Sequence, residues 1–170
     1  MKIKIPLDVL VRIKKIANDH LYILCARNYD NVTPISVGNT EFDSIIKDII
    51  NLEGEEVIVK AAENGLYGFN TVGMHVDVVT PPNCFVMMVP ILGKGEFDHY
   101  GISKNIDKGN IIYEDTFSPM SHEKYNTSAI IFNDLLPHCF IAKMNCLALL
   151  YAIPYSVVDK IRDRDVNVIR

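Results

Sequence analysis

The stretch Ser128–Pro154, SAIIFNDLLPHCFIAKMNCLALLYAIP, decides how the chain is read. It is strongly apolar, yet Asn133, Asp134, Pro137, His138 and Lys143 interrupt it. No part reaches the roughly 18 charge-free residues of a membrane-spanning helix. Its apolar runs read as strand, tight connection, strand, short turn, strand, over Ser128–Phe132, Cys139–Ala142 and Cys146–Ile153. Within the last run, Leu147–Ile153 (LALLYAI) is apolar on both faces, so one face needs a cover beyond a single sheet, which a partner subunit would supply.

Upstream, Cys84–Val89 (CFVMMV) is continuously apolar and fits a strand buried on both faces. Met74–Val79 (MHVDVV) alternates strictly, with Met74, Val76 and Val78 on one face and His75 and Asp77 on the other. Thr80–Asn83 reads as a turn. Glu55–Ala61 and Leu66–Val72 read as strands joined at Asn64-Gly65. Asn110–Tyr113 is a further strand candidate in an otherwise polar, irregular region, 102–127. The glycine-rich Gly93–Gly101 reads as loop.

One segment has helical spacing. In Glu41–Leu52, Phe42, Ile45, Ile46, Ile49 and Ile50 form an apolar stripe, with Thr40 as the expected cap and Gly54 as the stop. Residues 2–16 fit a strand or a short helix equally, His20–Arg27 reads as a strand, and Asn28–Asn39 as loop. The expected fold is mainly β, a sandwich or barrel with one short helix in the N-terminal half. It divides into an N-terminal segment 1–54, a β domain 55–154 and a C-terminal arm 155–170.

Composition narrows the function. The chain has 170 residues, 49% hydrophobic and 22% charged, which suits one domain with a real core. A net charge of −4 argues against binding to a nucleic-acid backbone, which demands a basic face. The N-terminus lacks an uninterrupted apolar run, so a cytoplasmic or virion protein is expected rather than a secreted one. Cys25, Cys84, Cys139 and Cys146 form no C-x-x-C pair, and His20, His75, His99, His122 and His138 have no ligand spacing, so no metal is expected. Walker, Rossmann, nucleophile-elbow and zinc-protease motifs are all missing.

The order of pieces resembles the trimeric dUTPases, which share a jelly-roll-like fold with the dCTP deaminases. The resemblance runs over residues 55–154, through FNTVGMHVDVVTPPNCFVMMVP, the loop ILGKGEFDHYGISKNID, SAIIFND and FIAKMNCLALLYAIP. It implies a dUTPase-like jelly-roll sandwich packed as a trimer, with C-terminal segments crossing between subunits. The catalytic motifs depart from the family. Where it has Pro-Arg-Ser-Gly to hold phosphates, this chain has Pro90-Ile91-Leu92-Gly93. Where it has Gly-Asp-Arg-Ile-Ala-Gln, this chain has Met144-Asn145-Cys146-Leu147-Ala148-Leu149. Asp107, or Asp115 with Tyr113, is the nearest counterpart of the water-positioning carboxylate and base-stacking tyrosine. No Gly/Ser-rich closing arm occurs in Val157–Arg170.

The reading that follows is a non-catalytic dUTPase-like protein acting through assembly or protein binding, of phage or viral type. It would be a homo-oligomer able to take on other protein subunits, with no membrane contact and no cofactor. The alternative is a nucleotide binder or hydrolase of the same fold with rewired chemistry, which would use magnesium. The candidate catalytic residues are Asp107, His99 and Asp115. Tyr100, Tyr113, His75 and Asp77 are candidates for ligand binding. Beyond Pro154, Tyr155–Ile161 and Val166–Ile169 flank the charged Arg162–Asp165 and read as an arm with two anchors. Each lost oxyanion donor is worth about 3–4 kcal/mol, so dUTP hydrolysis should be negligible. A pyrophosphate-release assay with dUTP and magnesium is expected to show no enzyme-like rate.

Overall fold

The computed structural model describes residues 1–26, 32–59, 61, 63–77, 81–100, 106–107, 110–111, 121–125 and 128–168. The chain begins with β1 (Lys2–Lys4), α1 (Leu7–Asp19), a 3-10 turn (Leu21–Cys25), β2 (Thr33–Val37) and α2 (Thr40–Ile50). Then come β3 (Gly65–Phe69), β4 (Val72–His75), β5 (Cys84–Leu92), β6 (Gly95–His99), β7 (Ile106–Asp107) and β8 (Asn110–Ile111). It ends with β9 (Ser121–Lys124), β10 (Ser128–Phe132), β11 (His138–Ala142), β12 (Cys146–Pro154) and α3 (Tyr155–Val168). A six-stranded sheet has the order β1-β10-β5-β12-β3-β2, a four-stranded sheet the order β4-β11-β6-β9, and β7 and β8 pair separately. Every pairing is antiparallel. The fold is thus mainly β and sandwich-like.

Both faces of β12 are covered within the chain, which explains its continuous apolar sequence. Leu147, Leu149, Tyr151 and Ile153 face a core shared with α1 (Val9, Ile13, Ile16), α2 (Ile45, Ile46, Ile49) and α3 (Val157, Val158, Ile161). Cys146 and Ala148 face a second core with Phe97 and Phe140 of the four-stranded sheet. The layers are therefore helices, long sheet, short sheet. The phenol of Tyr151 donates to Asp43 Oδ1 at 2.8 Å and so pins α2 to β12.

Buried polar side chains fix the crossings. Asn145 Nδ2 donates to the carbonyls of Ile23 (3.0 Å) and Ala26 (3.1 Å), while its Oδ1 accepts from Asn70 Nδ2 (2.9 Å). Asn64 donates to Val59 O (2.6 Å) and accepts from Ala152 N (2.9 Å). Gly93 has φ +103°, and a Cβ there would stand 2.6 Å from Asn145 O and from Cys146 Sγ, so the turn into β6 admits only glycine.

Several expectations need correction. Among the described residues there are three α-helices rather than one. Residues 2–16 split into a strand and a helix, because Val9, Ile13 and Ile16 make a buried stripe on α1. His20–Arg27, expected as a strand, is not one over its described residues, 20–26. It turns as a 3-10 helix that the Asn145 amide holds. Glu55–Ala61 forms no strand among its described residues, because β12 is already flanked by β3 and β5. Leu66–Val72 is divided at Asn70-Thr71, where the chain passes from one sheet to the other. Asn39, not Thr40, caps α2, accepting from Glu41 N at 2.9 Å, and Asn51 ends it in the left-handed conformation (φ 50°). The segment 155–170 is not a crossing arm over its described residues. It is α3, whose Val157, Val158 and Ile161 pack on the same chain and whose Arg164 donates to Ile50 O at 2.8 Å. The apolar faces of β12 therefore supply no argument for a partner subunit.

Leu149 is fully buried at the centre of the long sheet, whereas Ile141 on β11 is 49% exposed. Leu149→Ala should cost roughly 2–5 kcal/mol and Ile141→Ala less than about 1 kcal/mol in urea unfolding.

Candidate functional site

Between the two sheets lies a cavity of about 360 Å³. The long sheet lines it with Phe69, Val86, Met88, Phe132 and Leu150, and the short sheet with Val72, Phe97 and Phe140. Aromatic packing shapes the walls. Phe69 meets Phe140 edge-on at 4.9 Å, and Phe97 lies 4.6 Å from Phe132. No lysine or arginine lines the cavity among the described residues.

One end of the cavity is polar, formed by His75, Asp77 and His138. The pairing of β11 with β4 sets His138 opposite His75, with a register shift between His138 and Phe140. Their rings stand 4.2 Å apart. His138 is buried among Phe97 and Phe132, which fixes its ring (5.9 and 5.0 Å). Of the expected strand Met74–Val79, Met74 and His75 belong to β4 and Val76 and Asp77 lie beyond its end, yet His75 and Asp77 both line the cavity. Met74 and Val76, the expected apolar face, are 51% and 44% exposed.

Backbone carbonyls set both imidazole tautomers. His75 Nδ1 lies 2.7 Å from Gly73 O, and His138 Nδ1 lies 2.9 Å from Leu136 O. A carbonyl only accepts, so each Nδ1 carries the hydrogen and donates. Each Nε2 then points toward Asp77, at 3.7 Å from Oδ1 for His75 and 3.5 Å from Oδ2 for His138. The interaction with the His138 ring lowers the Asp77 carboxyl below the usual carboxylate value, opposed by partial burial and helped by the charge of His75. The three side chains offer ligand atoms all within 4.8 Å of one another and could hold a cation.

A second carboxylate lies behind them. The turn between β10 and β11 is set by Asn133, whose Oδ1 accepts from Leu135 N at 3.1 Å. It carries Asp134 into the interior, where the side chain is fully buried and neither carboxylate oxygen has a hydrogen-bond partner. Asp134 O accepts from Asp77 N at 2.9 Å, tying the two acidic residues together. Burial pushes the Asp134 carboxyl up to about 6, with the Asp77 charge adding to the rise and His138 and nearby backbone N–H groups opposing it.

Among the described residues, the other candidates do not line this cavity, although His99 stands opposite His138 in the pairing of β6 with β11. His99, at the end of β6, donates from Nε2 to Asn133 O at 3.1 Å, and burial lowers its basicity. Tyr100 is buried against Cys139 and its backbone N–H bonds Pro137 O at 2.8 Å. Asp107 sits in β7, of which only the backbone is described, and Asp115 and Tyr113 lie outside the described residues. Sequence spacing placed His75 and Asp77 on one face but missed His138 and Asp134. The strand pairing that brings these together leaves no local pattern, although the Asn-Asp pair inside an apolar run was a signal for Asp134.

No protein-family model and no curated protein matches the chain. Among solved structures, vicilin from hazelnut (Corylus avellana) is similar at 12% identity with a TM-score of 0.31. That similarity covers 62% of this chain and 32% of the vicilin chain.

The pH dependence follows from Asp134. Its folded value of about 6 exceeds the ordinary 3.8, so between these values the folded state binds more protons than the unfolded one. Stability should therefore fall as pH rises through that window and stay lower above it. In the presence of a chelator, Asp134→Asn should remove this slope. At neutral pH it should raise stability by up to roughly 3 kcal/mol in urea unfolding.

Proposed function

We propose that this chain is a small-molecule-binding protein whose ligand occupies the cavity between the sheets. The carrying observation is the pairing of an aromatic and aliphatic chamber of about 360 Å³ with one polar end, His75, Asp77 and His138. Binding pockets combine this kind of apolar lining with a few placed polar groups. The ligand is largely apolar, with a single hydrogen-donating polar end that meets Asp77 and the histidines. Binding, rather than pyrophosphate hydrolysis, is favoured because the described lining offers no cation for a phosphate chain. Asn64 and Tyr151, which also line the cavity, spend their polar atoms on the protein itself.

A panel of small aromatic and branched aliphatic alcohols and amines, together with nucleotides, tests this by ligand-observed NMR. Ligands of this size in such a chamber should bind saturably with Kd of roughly 10–500 µM, and nucleotides should not. Val86→Trp fills the chamber and should weaken binding at least tenfold while the protein still unfolds cooperatively. Absence of any saturable binder, or unchanged binding in Val86→Trp, would overturn the reading.

A further inference from the structure

We infer that His75, Asp77 and His138 form a binding site for a divalent transition-metal ion, with the buried Asp134 supplying counter-charge. The inference concerns the metal alone and does not depend on what fills the cavity.

The first argument is the direction of the lone pairs. Gly73 O and Leu136 O take the Nδ1 hydrogens, so both neutral imidazoles turn unprotonated Nε2 atoms toward a carboxylate that also only accepts. With both rings neutral, acceptor faces acceptor on both sides of Asp77. Such an arrangement is stabilised by a positive species placed between the three groups. The backbone carbonyls play the part that outer hydrogen bonds play around ligating histidines, fixing the tautomer and the ring.

The second argument is spacing. A four-coordinate ion holds N and O donors at about 2.0–2.1 Å, which puts neighbouring donors about 3.4 Å apart. His75 Nε2 lies 3.7 Å from Asp77 Oδ1 and His138 Nε2 lies 3.5 Å from Oδ2, close to that value, and the ligand atoms all lie within 4.8 Å of one another, so a small closure of the side chains brings them to an ion. Three donors leave at least one position open. Because all three residues line the cavity, that position faces the chamber.

The third argument is independent of the ligands. Asp134 is fully buried with both side-chain oxygens unpartnered among the described residues, a costly placement for a carboxylate. Its backbone carbonyl accepts from Asp77 N at 2.9 Å, which sets it beside the cluster. A divalent ion beside two carboxylates and two neutral imidazoles makes the group electrically neutral. Two imidazoles and one carboxylate suit zinc, iron, cobalt or nickel rather than magnesium, which takes oxygen donors and keeps its waters.

Metal-free full-length protein, titrated by calorimetry with zinc, cobalt and magnesium ions at pH 7.5, tests the inference. Zinc and cobalt should bind at one site with micromolar or tighter Kd, and cobalt should give visible absorption typical of low coordination number. Magnesium should give no saturable heat at millimolar concentration. His75→Ala and Asp77→Asn, both at partly exposed positions, should each weaken zinc at least tenfold while leaving the fold intact by circular dichroism. Cys25→Ser, which removes the exposed thiol, should leave zinc affinity unchanged. No saturable zinc or cobalt binding in the wild-type protein would overturn the inference. So would wild-type affinity in both His75→Ala and Asp77→Asn, or loss of the site in Cys25→Ser.

Discussion

The molecule depends on one strand that must be buried on both sides. β12 has no polar face, and its two rows of side chains are satisfied by different partners: helices over Leu147, Leu149, Tyr151 and Ile153, and the short sheet over Cys146 and Ala148. Each apolar side chain taken from water on such a strand contributes on the order of 1.5–3 kcal/mol. That gain holds three layers together in a chain whose helices share little direct contact. The asparagines at 64, 70 and 145 then fix how connecting segments approach the strand, since each turn they hold would otherwise bury unpaired carbonyls.

The same strand divides structure from site. Its helix-facing row builds a filled core, whereas the opposite face, with Leu150, helps wall a chamber that the short sheet does not fill. Polar groups enter that chamber where β4 and β11 meet. There a register shift and a buried turn bring His75, Asp77, His138 and Asp134 into one neighbourhood. A cluster of this kind costs stability unless something compensates it, and such a cost points to use rather than to packing.

The sequence carried the long-range facts unevenly. The strands at 84–92, 128–132, 138–142 and 146–154 were legible, because continuous apolar runs of strand length bounded by turn residues have few other readings. The stripe of α2 was legible for the same reason. α3 was not, although Val157, Val158 and Ile161 already lie at helical spacing, because β-branched residues and a charged centre gave its segment the look of an extended arm. The demand for cover over β12 was right, but attributing that cover to a partner subunit was not. Periodicity says that a face is buried and not by what. His75 and Asp77 could be placed on one face from spacing alone. His138 could not join them, since its proximity comes from antiparallel pairing between strands far apart in the chain.

The cysteines show what this layering does to chemical access. Cys84, Cys139 and Cys146 are buried and burial raises all three thiols, Cys146 to about 12, whereas Cys25 at the end of the 3-10 turn is exposed. Thiolate, not thiol, attacks an electrophile, so the native chain presents a single addressable sulfur among its described residues. That sulfur lies one residue from Ala26, whose carbonyl the Asn145 amide grips. A reporter dye attached there would sit on the clasp between the N-terminal half and the β11–β12 connection. Its signal would follow the loosening of that clasp separately from the melting of the sheets.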